Sequence, residues 1–202
     1  MYGVIEIYPY NSKKAKVKLE NGFTFALYKG EIRRYKIEEG SNLSDEIYEE
    51  IISVLTKRAR ERALYILKAS SKTKRQMIDK LKKDNYPDVA IEKTIEFLEK
   101  YNYINDYEFA ENYVSRNIGN KSIHRIKSEL CVKGIDKAIL DKTLVNLENN
   151  EDESVRKLIE KKIKRYNLAE VKDKRRFYGL LMRNGYSYDT IQRVLETYKC
   201  EV

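Results

Sequence analysis

Residues 174–191 read KRRFYGLLMRNGYSYDTI, which is a helix pattern, an Asn-Gly corner and a second helix pattern. The same order of side-chain types occurs at residues 123–140 and at residues 74–91, so the spacings are 51 and 49 residues. A period of this length is typical of chains built from repeated supersecondary units that bury their apolar faces against one another. The sequence therefore predicts a row of similar helical units and not one compact catalytic core.

The corner of each unit has a specific backbone requirement. Asn85, Gly134 and Gly185 stand at the equivalent position, directly after the first helix of the pair. Helices often end with a left-handed residue at this position, and only Gly and Asn adopt that conformation at low cost. The next residue can then fold back onto the preceding helix. The pattern predicts three equivalent helix–corner–helix pairs.

Each unit divides into three helices, named A, B and C in chain order, with the corner between B and C. Helix A is predicted at 57–69, 106–118 and 151–166, helix B at 72–84, 121–133 and 172–184, and helix C at 88–100, 136–147 and 187–199. Asp136 and Ser187 are the expected N-caps of helix C. In the first unit Pro87 takes that slot, which leaves Asp88 as the expected cap.

The apolar side chains of helices B and C recur at steps of four and three residues, which places them on one helix face. The sets that superpose across the units are Met77/Ile126/Phe177, Leu81/Leu130/Leu181, Ile91/Leu140/Ile191, Ile95/Leu144/Leu195 and Leu98/Leu147/Tyr198. We therefore expect each unit to bury one apolar ridge of its own.

The first forty residues follow a strand pattern. Gly3–Tyr8, Ala15–Leu19 and Phe23–Leu27 are short runs with apolar alternation. Asn21-Gly22 between the last two is a strong hairpin signal, because a type I′ turn needs positive φ at both positions. The sequence predicts a small three-stranded sheet. Because such a sheet would be only marginally stable alone, we expect it to pack against the helix that follows.

Residues 40–42 separate this sheet from the helical part. Ser44 is a suitable N-cap, and the helical pattern runs from there to about Ala69, with Thr56 as a candidate break. The predicted fold is mainly α: a tandem array of three three-helix repeats forming an elongated curved solenoid, preceded by a small N-terminal antiparallel β-sheet. The predicted segments are 1–43 for the sheet, 44–56 for a connecting helix, and 57–105, 106–150 and 151–202 for the three repeats.

Positive charge is concentrated on the outer repeats. The chain carries a net charge of +9, of which residues 56–104 and 153–202 contribute +6 each. Residues 1–55 sum to −1 and residues 105–152 to −2. This distribution favours a polyanionic partner such as nucleic acid or an acidic protein face. The alternative interpretation is a solvated, lysine-rich surface.

Helix B carries the recurring cations, and equivalent residues superpose near its start in all three repeats. The candidates for contact with a filament or with phosphates are Lys72, Lys74, Arg75, Lys82, Lys83, Lys121, Arg125, Lys127, Lys172, Lys174, Arg175, Arg176 and Arg183. Such side chains can contact phosphates and fix register without reading sequence. They are also ordinary helix-surface residues, but their recurrence at a helix N-terminus, where positive charge opposes the dipole, favours binding.

Other kinds of site have no support in the sequence. Neither the phosphate-loop nor the dinucleotide-binding glycine motif is present. His124 is the single histidine, so a His-based triad or a two-His metal site cannot be built. No carboxylate pair shows a recurring catalytic or metal-binding spacing. We therefore predict no enzymatic activity, no cofactor and no metal, with a nuclease retained as a third hypothesis for which no residue pair can be nominated.

The remaining composition indicates a soluble cytoplasmic protein. Cys131 and Cys200 form no pairing motif, which suits a reducing compartment. No apolar run approaches the length of a membrane-spanning helix. Among the seventeen tyrosines, a cluster lies near the first repeat boundary at Tyr101, Tyr103, Tyr107 and Tyr113. Packing with the hydroxyl at the surface is favoured over a base-stacking platform for this cluster.

Three segments of the chain resemble those of a known family. Residues 103–116 resemble the YLDDxxFAxxYVxxR segment of the RecX regulators of bacterial recombination, residues 124–136 its RRIxxEL…KGI(D) segment, and residues 174–189 its terminal KRRxxxxLxRRGFSYDxI segment. The similarity covers about residues 56–199, and the N-terminal part resembles the extra segment of longer, Gram-positive-type members. His124 departs from the pattern, because the family usually has Arg or Lys there.

The resemblance implies a function in DNA repair and the SOS response. RecX proteins bind the RecA–single-stranded DNA filament along its groove and inhibit its ATP hydrolysis and strand exchange, without being enzymes. The partners implied are therefore the RecA filament and single-stranded DNA, with no membrane and with the protein as a monomer. In this hypothesis the outer repeats contact DNA phosphates or acidic filament surfaces. The alternative is a stand-alone nucleic-acid-binding protein of helix-turn-helix type that acts without RecA.

Overall fold

The computed structural model describes the backbone of residues 1–145 and 151–201, and the side chains as far as residue 198. The chain forms two compact units, one of residues 1–105 and one that begins at Asp106. The N-terminal unit holds the sheet and the first repeat. The second unit holds the other two repeats.

The N-terminal sheet is antiparallel, with strands β1 (Tyr2–Pro9), β2 (Lys14–Leu19) and β3 (Thr24–Tyr28), as predicted. The expected number of strands was wrong, because a short fourth strand, β4 (Asn42–Leu43), pairs with the start of β1 and gives the order β3-β2-β1-β4. Helix α1 (Lys29–Arg34) connects β3 to β4. Two residues carry too little alternation to be recognised as a strand in the sequence.

The β2–β3 turn differs from the type I′ turn that we predicted. Gly22 has a φ of 80°, but Asn21 is absent from the residues with positive φ. The Gly22 amide donates to the carbonyl of Leu19 at 2.9 Å, and the Leu19 amide donates to the carbonyl of Phe23 at 2.8 Å. The Asn21 side chain accepts a bond from the Phe23 amide at 3.0 Å, so Asn21 supports the turn with its side chain.

Helix α2 (Asp45–Ala69) is continuous, and the candidate break at Thr56 does not occur. Ser44 caps it as expected, accepting from the Ile47 amide at 3.3 Å. The first half of α2 packs on the sheet through side chains such as Ile51, and the second half packs on the first repeat through Ala63. Because one buried face runs along the whole helix, there is no reason for the helix to end at Thr56.

The helices of the three repeats follow the predicted order. Their bounds are α3 (Lys74–Lys83), α4 (Asp88–Lys100), α5 (Asp106–Asn117), α6 (Ile123–Val132), α7 (Lys137–Leu144), α8 (Glu151–Lys162), α9 (Val171–Arg183) and α10 (Tyr188–Glu201). Residues Ile163–Arg165 form a 3₁₀ turn after α8. Helix A of the first repeat is the second half of α2, and the B helices are α3, α6 and α9.

Two B helices begin later than predicted because of their caps. The side chains of Thr73 and Ser122 accept the amides of Gln76 and Arg125 at 3.2 and 3.1 Å. Lys72 and Lys121 were predicted as the first residues of these helices, but each stands directly before the N-cap residue, Thr73 or Ser122.

The predicted corners are confirmed. Asn85, Gly134 and Gly185 have φ values of 62°, 83° and 93°. In each corner the next residue donates its amide to a carbonyl in the last turn of helix B; the Tyr186 amide, for example, donates to Leu181 at 3.3 Å. The same bond occurs at Tyr86 and Ile135, at 3.1 Å each, and this is the hydrogen-bonding pattern of a Schellman motif.

The expected caps of helix C are confirmed only in part. Ser187 accepts from the Thr190 amide at 3.1 Å. Asp136 occupies the cap position of α7 without a side-chain cap bond. Pro87 is the cap residue of α4, so the expectation of Asp88 as cap was wrong, and Asp88 is instead the first residue of the helix.

Each repeat has its own apolar core. The predicted ridge residues are buried in three separate clusters, with Met77, Ile126 and Phe177 each fully inaccessible to solvent. Tyr198 is only partly buried, and Leu147 lies outside the described residues. Three cores with equivalent members confirm the repeat architecture.

Candidate polyanion-binding surface on the B helices

The thirteen candidate cations all lie on α3, α6 and α9 or directly before them, as the sequence spacing requires. None is buried in a core. The three repeats differ, however, in how many of these charges are already paired with carboxylates. A cation that is paired with a nearby carboxylate is less available to an external anion. The number of unpaired cations therefore shows which of the three helices is best suited to bind one.

In the first repeat most candidates are paired. Arg75 lies 3.3 Å from Asp79 within α3. Two further ion pairs cross from α3 to α4, Lys74 to Glu99 at 2.9 Å and Lys82 to Asp88 at 3.0 Å. The ammonium of Lys72 donates to the carbonyls of Ser70 and Ser71 at 3.3 Å each. Lys83, in contrast to Lys74, Arg75 and Lys82, forms no ion pair within the part of the chain that the structure describes.

In the middle repeat the candidates converge on one carboxylate. Glu129 accepts from Lys121 at 2.6 Å through one oxygen and from Arg125 at 2.9 Å through the other. The hydroxyl of Tyr113 donates to the same carboxylate. Lys127 is paired across the repeat with Asp141 at 3.6 Å. These contacts leave the candidates of α6 with little free positive charge, and the net charge over residues 105–152 is −2.

The pKa of the shared carboxylate, that of Glu129, is strongly lowered. Burial alone would raise the pKa of Glu129, but the hydrogen bonds from Lys121, Tyr113 and Arg125, with the positive charge of Lys121, outweigh it and lower the pKa from 4.5 to about 2. The side chain of Glu129 is 21% exposed, so solvent screens the network only in part. A carboxylate with a lowered pKa stabilises the folded state when it is ionised.

Replacing Glu129 by Gln should therefore remove a pH-dependent part of the stability. In the parent protein this part is fully present above the unfolded-state pKa of about 4.5 and is lost as the pH falls towards about 2. We expect Glu129→Gln to cost about 2 kcal/mol at neutral pH, the scale of hydrogen bonds to a charged group. Urea unfolding at pH 7 and pH 3 checks this, because the difference in the free energy of unfolding between parent and variant should be smaller at pH 3. An equal difference in the free energy of unfolding at both pH values would contradict the prediction.

In the third repeat the cations of α9 are mostly free. Lys172, Arg175 and Arg183 are exposed and have no carboxylate within ion-pair distance in the described part of the chain. Arg176 is the exception, with Asp173 at 3.5 Å, and Lys174 lies over the ring of Tyr178 at 5.9 Å. The exposed side of α9 is therefore the strongest concentration of available positive charge among the three B helices.

One substitution between repeats explains the difference. Lys172, Arg175, Gly179 and Arg183 are spaced by three and four residues, so they lie on one side of α9. The residue of the first repeat equivalent to Gly179 is Asp79, which neutralises Arg75. A glycine within a helix costs about 1 kcal/mol relative to alanine. Its position among exposed cations removes the acidic partner, and the guanidinium of Arg183 lies beside the space that a side chain would occupy.

The tyrosines near the first repeat boundary are divided between the two units. In the N-terminal unit the rings of Tyr101 and Tyr103 lie 4.9 and 6.1 Å from that of Phe97, and both remain more than half exposed. In the second unit Tyr113 takes part in the Glu129 network, and Lys142 lies over the ring of Tyr107 at 4.7 Å.

Among the described residues, no group of three or more His, Cys, Asp or Glu side chains is arranged to hold a metal ion. None of the described helices combines the length and the apolar character needed to cross a membrane. Cys131 is a free, exposed thiol, and the side chain of Cys200 lies outside the described residues.

Family models match the three repeats one by one. The first, second and third three-helix domains of RecX match residues 59–98, 105–144 and 150–195. Together these ranges cover more than half of the chain. The chain belongs to the RecX family. The resemblance stated from its three sequence segments is thereby confirmed, and the family consists of regulatory proteins.

Individual RecX proteins agree with this assignment over nearly the whole chain. A regulatory protein RecX from Clostridium beijerinckii is 29% identical over 199 residues, which are 95% of this chain and 92% of the relative. A crystal structure of RecX from Lactobacillus salivarius is 27% identical, with a TM-score of 0.58, and covers 73% of this chain and 99% of its own. A second RecX crystal structure, 21% identical with a TM-score of 0.59, covers 97% of this chain and all of its own, which supports the fold including the sheet.

Proposed function

We propose that this RecX-family chain binds the RecA–single-stranded DNA filament in the cytoplasm and inhibits its ATP hydrolysis and strand exchange, as a monomer and without catalytic chemistry of its own. In this proposal the exposed side of α9 contacts phosphates or acidic surfaces of the filament. The partly paired cations of α3 make a weaker contact. The neutralised middle repeat makes mainly uncharged protein contacts.

The observation that carries this proposal is the unpaired charge on α9. Cations that no internal carboxylate neutralises repel one another, and binding an external anion relieves that repulsion. Phosphates along a strand suit this role because they are regularly spaced and always ionised. The choice of the RecA filament as the partner rests on the resemblance to the RecX regulators that was drawn from the sequence segments.

Stand-alone duplex recognition is less well supported by the third repeat. In a helix-turn-helix motif the second helix enters the major groove and reads bases. The second helix of this pair is α10, and among its described side chains the cation Arg193 is engaged by Asp152 at 2.6 Å. The free cations lie on the first helix, α9, which suits backbone contact without base readout.

The test is an ATPase assay on preformed filaments of RecA, single-stranded DNA and ATP, to which the full-length protein is added. We expect ATP hydrolysis to fall as the protein is titrated in. Binding to bare single- and double-stranded DNA is measured in parallel as a function of salt. Tight filament binding with weak binding to bare DNA would support the proposal. Unchanged ATP hydrolysis, or equally tight binding to duplex without RecA, would overturn it.

A further inference from the structure

The N-terminal sheet has an exposed face that the three-helix repeats do not explain. Residues that face each other across antiparallel strands lie on the same side of the sheet. Lys16 is opposite Tyr8, and Lys14 is opposite Tyr28. Lys18 lies on the same side, and Tyr10 follows the end of β1. This lysine–tyrosine face consists of Tyr8, Tyr10, Lys14, Lys16, Lys18 and Tyr28, and the apolar core of the unit lies behind it.

The lysines of this face form a row on one strand. Alternate residues of a strand are separated by about 6.6 Å, which is comparable with the distance between consecutive phosphates of an extended single strand. No ion pair is formed by Lys14, Lys16 or Lys18 within the described residues. The carboxylate of Glu6 stands opposite Lys18, and that of Glu31, which is paired with Arg58, interacts electrostatically with Lys14. Residues 7–19 contain four lysines and no acidic residue.

Protection of a sheet edge does not account for this row. Exposed lysines commonly block edge strands against pairing with another chain. Strand β2, however, lies between β3 and β1 in the sheet and has no free edge. Three lysines in a row on one face repel one another, and an anion bound to them would relieve that repulsion.

The tyrosines hold these lysines at the surface. The ammonium of Lys14 lies 4.7 Å from the centre of the Tyr28 ring, and that of Lys16 lies 5.2 Å from the centre of the Tyr10 ring. The hydroxyl of Tyr10 is fixed by a bond from the side chain of Asn85, at 2.8 Å, in the corner of the first repeat. Tyr10 and Tyr28 remain 40% and 39% exposed. Aromatic rings beside a row of cations are a common combination in surfaces that bind single strands.

We propose that the lysine–tyrosine face is a binding surface for single-stranded nucleic acid, separate from α9. The lysines of β2 contact consecutive phosphates, and the exposed tyrosine rings contact bases or sugars. The surface takes a single strand because the lysines form one straight row, whereas a duplex presents two phosphate strands that diverge around a helix. The sheet then contributes a contact of its own beside those of the repeats, independently of whether α9 binds the filament.

The test uses full-length protein and a fluorescent thymidine oligonucleotide in anisotropy titrations over a range of salt concentrations, starting at low salt. The variant is Lys14→Gln/Lys16→Gln/Lys18→Gln. A matched control is Lys68→Gln/Lys93→Gln/Lys100→Gln, which removes the same charge from exposed helix positions of the same unit. Each phosphate contact contributes about 0.7 to the slope of log K against log salt for single strands, so we expect the sheet variant to lower the slope by about 2 and the affinity at least tenfold.

A second measurement locates the strand directly. Photo-crosslinking with an oligonucleotide that contains 5-bromouridine should label peptides that include Tyr8, Tyr10 or Tyr28. The proposal is overturned if the wild-type protein does not bind at low salt, if the sheet variant and the control lose affinity equally, if duplex competes as well as single strand, or if crosslinks form only on α9. None of these results bears on inhibition of the filament, which the ATPase assay decides.

Discussion

Replacing Gly185 by Ala should lower the free energy of unfolding by about 3 kcal/mol, as the sum of a backbone cost and a steric cost. Gly185 has a φ of 93°, a conformation that an L-residue adopts only under strain. A Cβ at this position would lie 2.4 Å from the Oγ of Ser122 and 2.6 Å from the Cβ of Arg125. The neighbouring carbonyl of Asn184 accepts the amide of Ser122 at 2.9 Å, so the third repeat cannot move away without breaking this bond.

The matched control for this variant is Gly22→Ala. Gly22 has a similar φ of 80°, but no atom lies within 4 Å of its hypothetical Cβ. It should therefore show only the backbone cost, about 1 kcal/mol. Urea unfolding followed by circular dichroism measures both, and hydrogen exchange should show that the Ser122 amide loses protection only in Gly185→Ala. Equal destabilisation by the two variants would mean that the contact between the corner and α6 contributes nothing.

Neutralising the exposed side of α9 should produce the largest loss of function. In the variant Lys172→Gln/Arg175→Gln/Arg176→Gln/Arg183→Gln we expect the concentration for half-maximal inhibition of filament ATP hydrolysis to rise at least tenfold. The reason is that three of these cations have no internal carboxylate, so their interaction with an external anion is not offset by an existing ion pair. Binding to the filament should also become less dependent on salt, because fewer counterions are released.

The control removes the same number of charges from another surface of the same unit. Lys157, Lys161, Lys164 and Arg165 are exposed on α8 and the turn that follows it, and their replacement by Gln should change inhibition by less than about threefold, the scale of rim charges on a nonspecific surface. Circular dichroism must show unchanged helicity in both variants. If the two variants inhibit equally well, the contact lies elsewhere, and the assignment to α9 is wrong.

The repeat architecture could be predicted from the sequence because its signals are local. The left-handed corner at Gly185 needs a residue that adopts positive φ at low cost, and the buried ridge of Phe177 and Leu181 recurs at helical spacing. Both requirements act within one or two turns of helix. Strand β4 and the continuity of α2 could not be predicted, because each depends on what the segment packs against and not on its own residues.

The availability of the cations was decided only by the tertiary structure. In the sequence Arg125 and Arg175 look alike, since both are exposed basic residues near the start of helix B. In the fold Glu129 engages Arg125 together with Lys121, whereas Arg175 has glycine four residues later in place of an acid. Likewise, the lysines of β2 share one face by their spacing, but only pairing with β1 and β3 places tyrosines opposite them. Sequence spacing determines which side of a helix or strand a charge occupies, but whether that charge is neutralised depends on the side chains that the fold brings within a few ångströms of it.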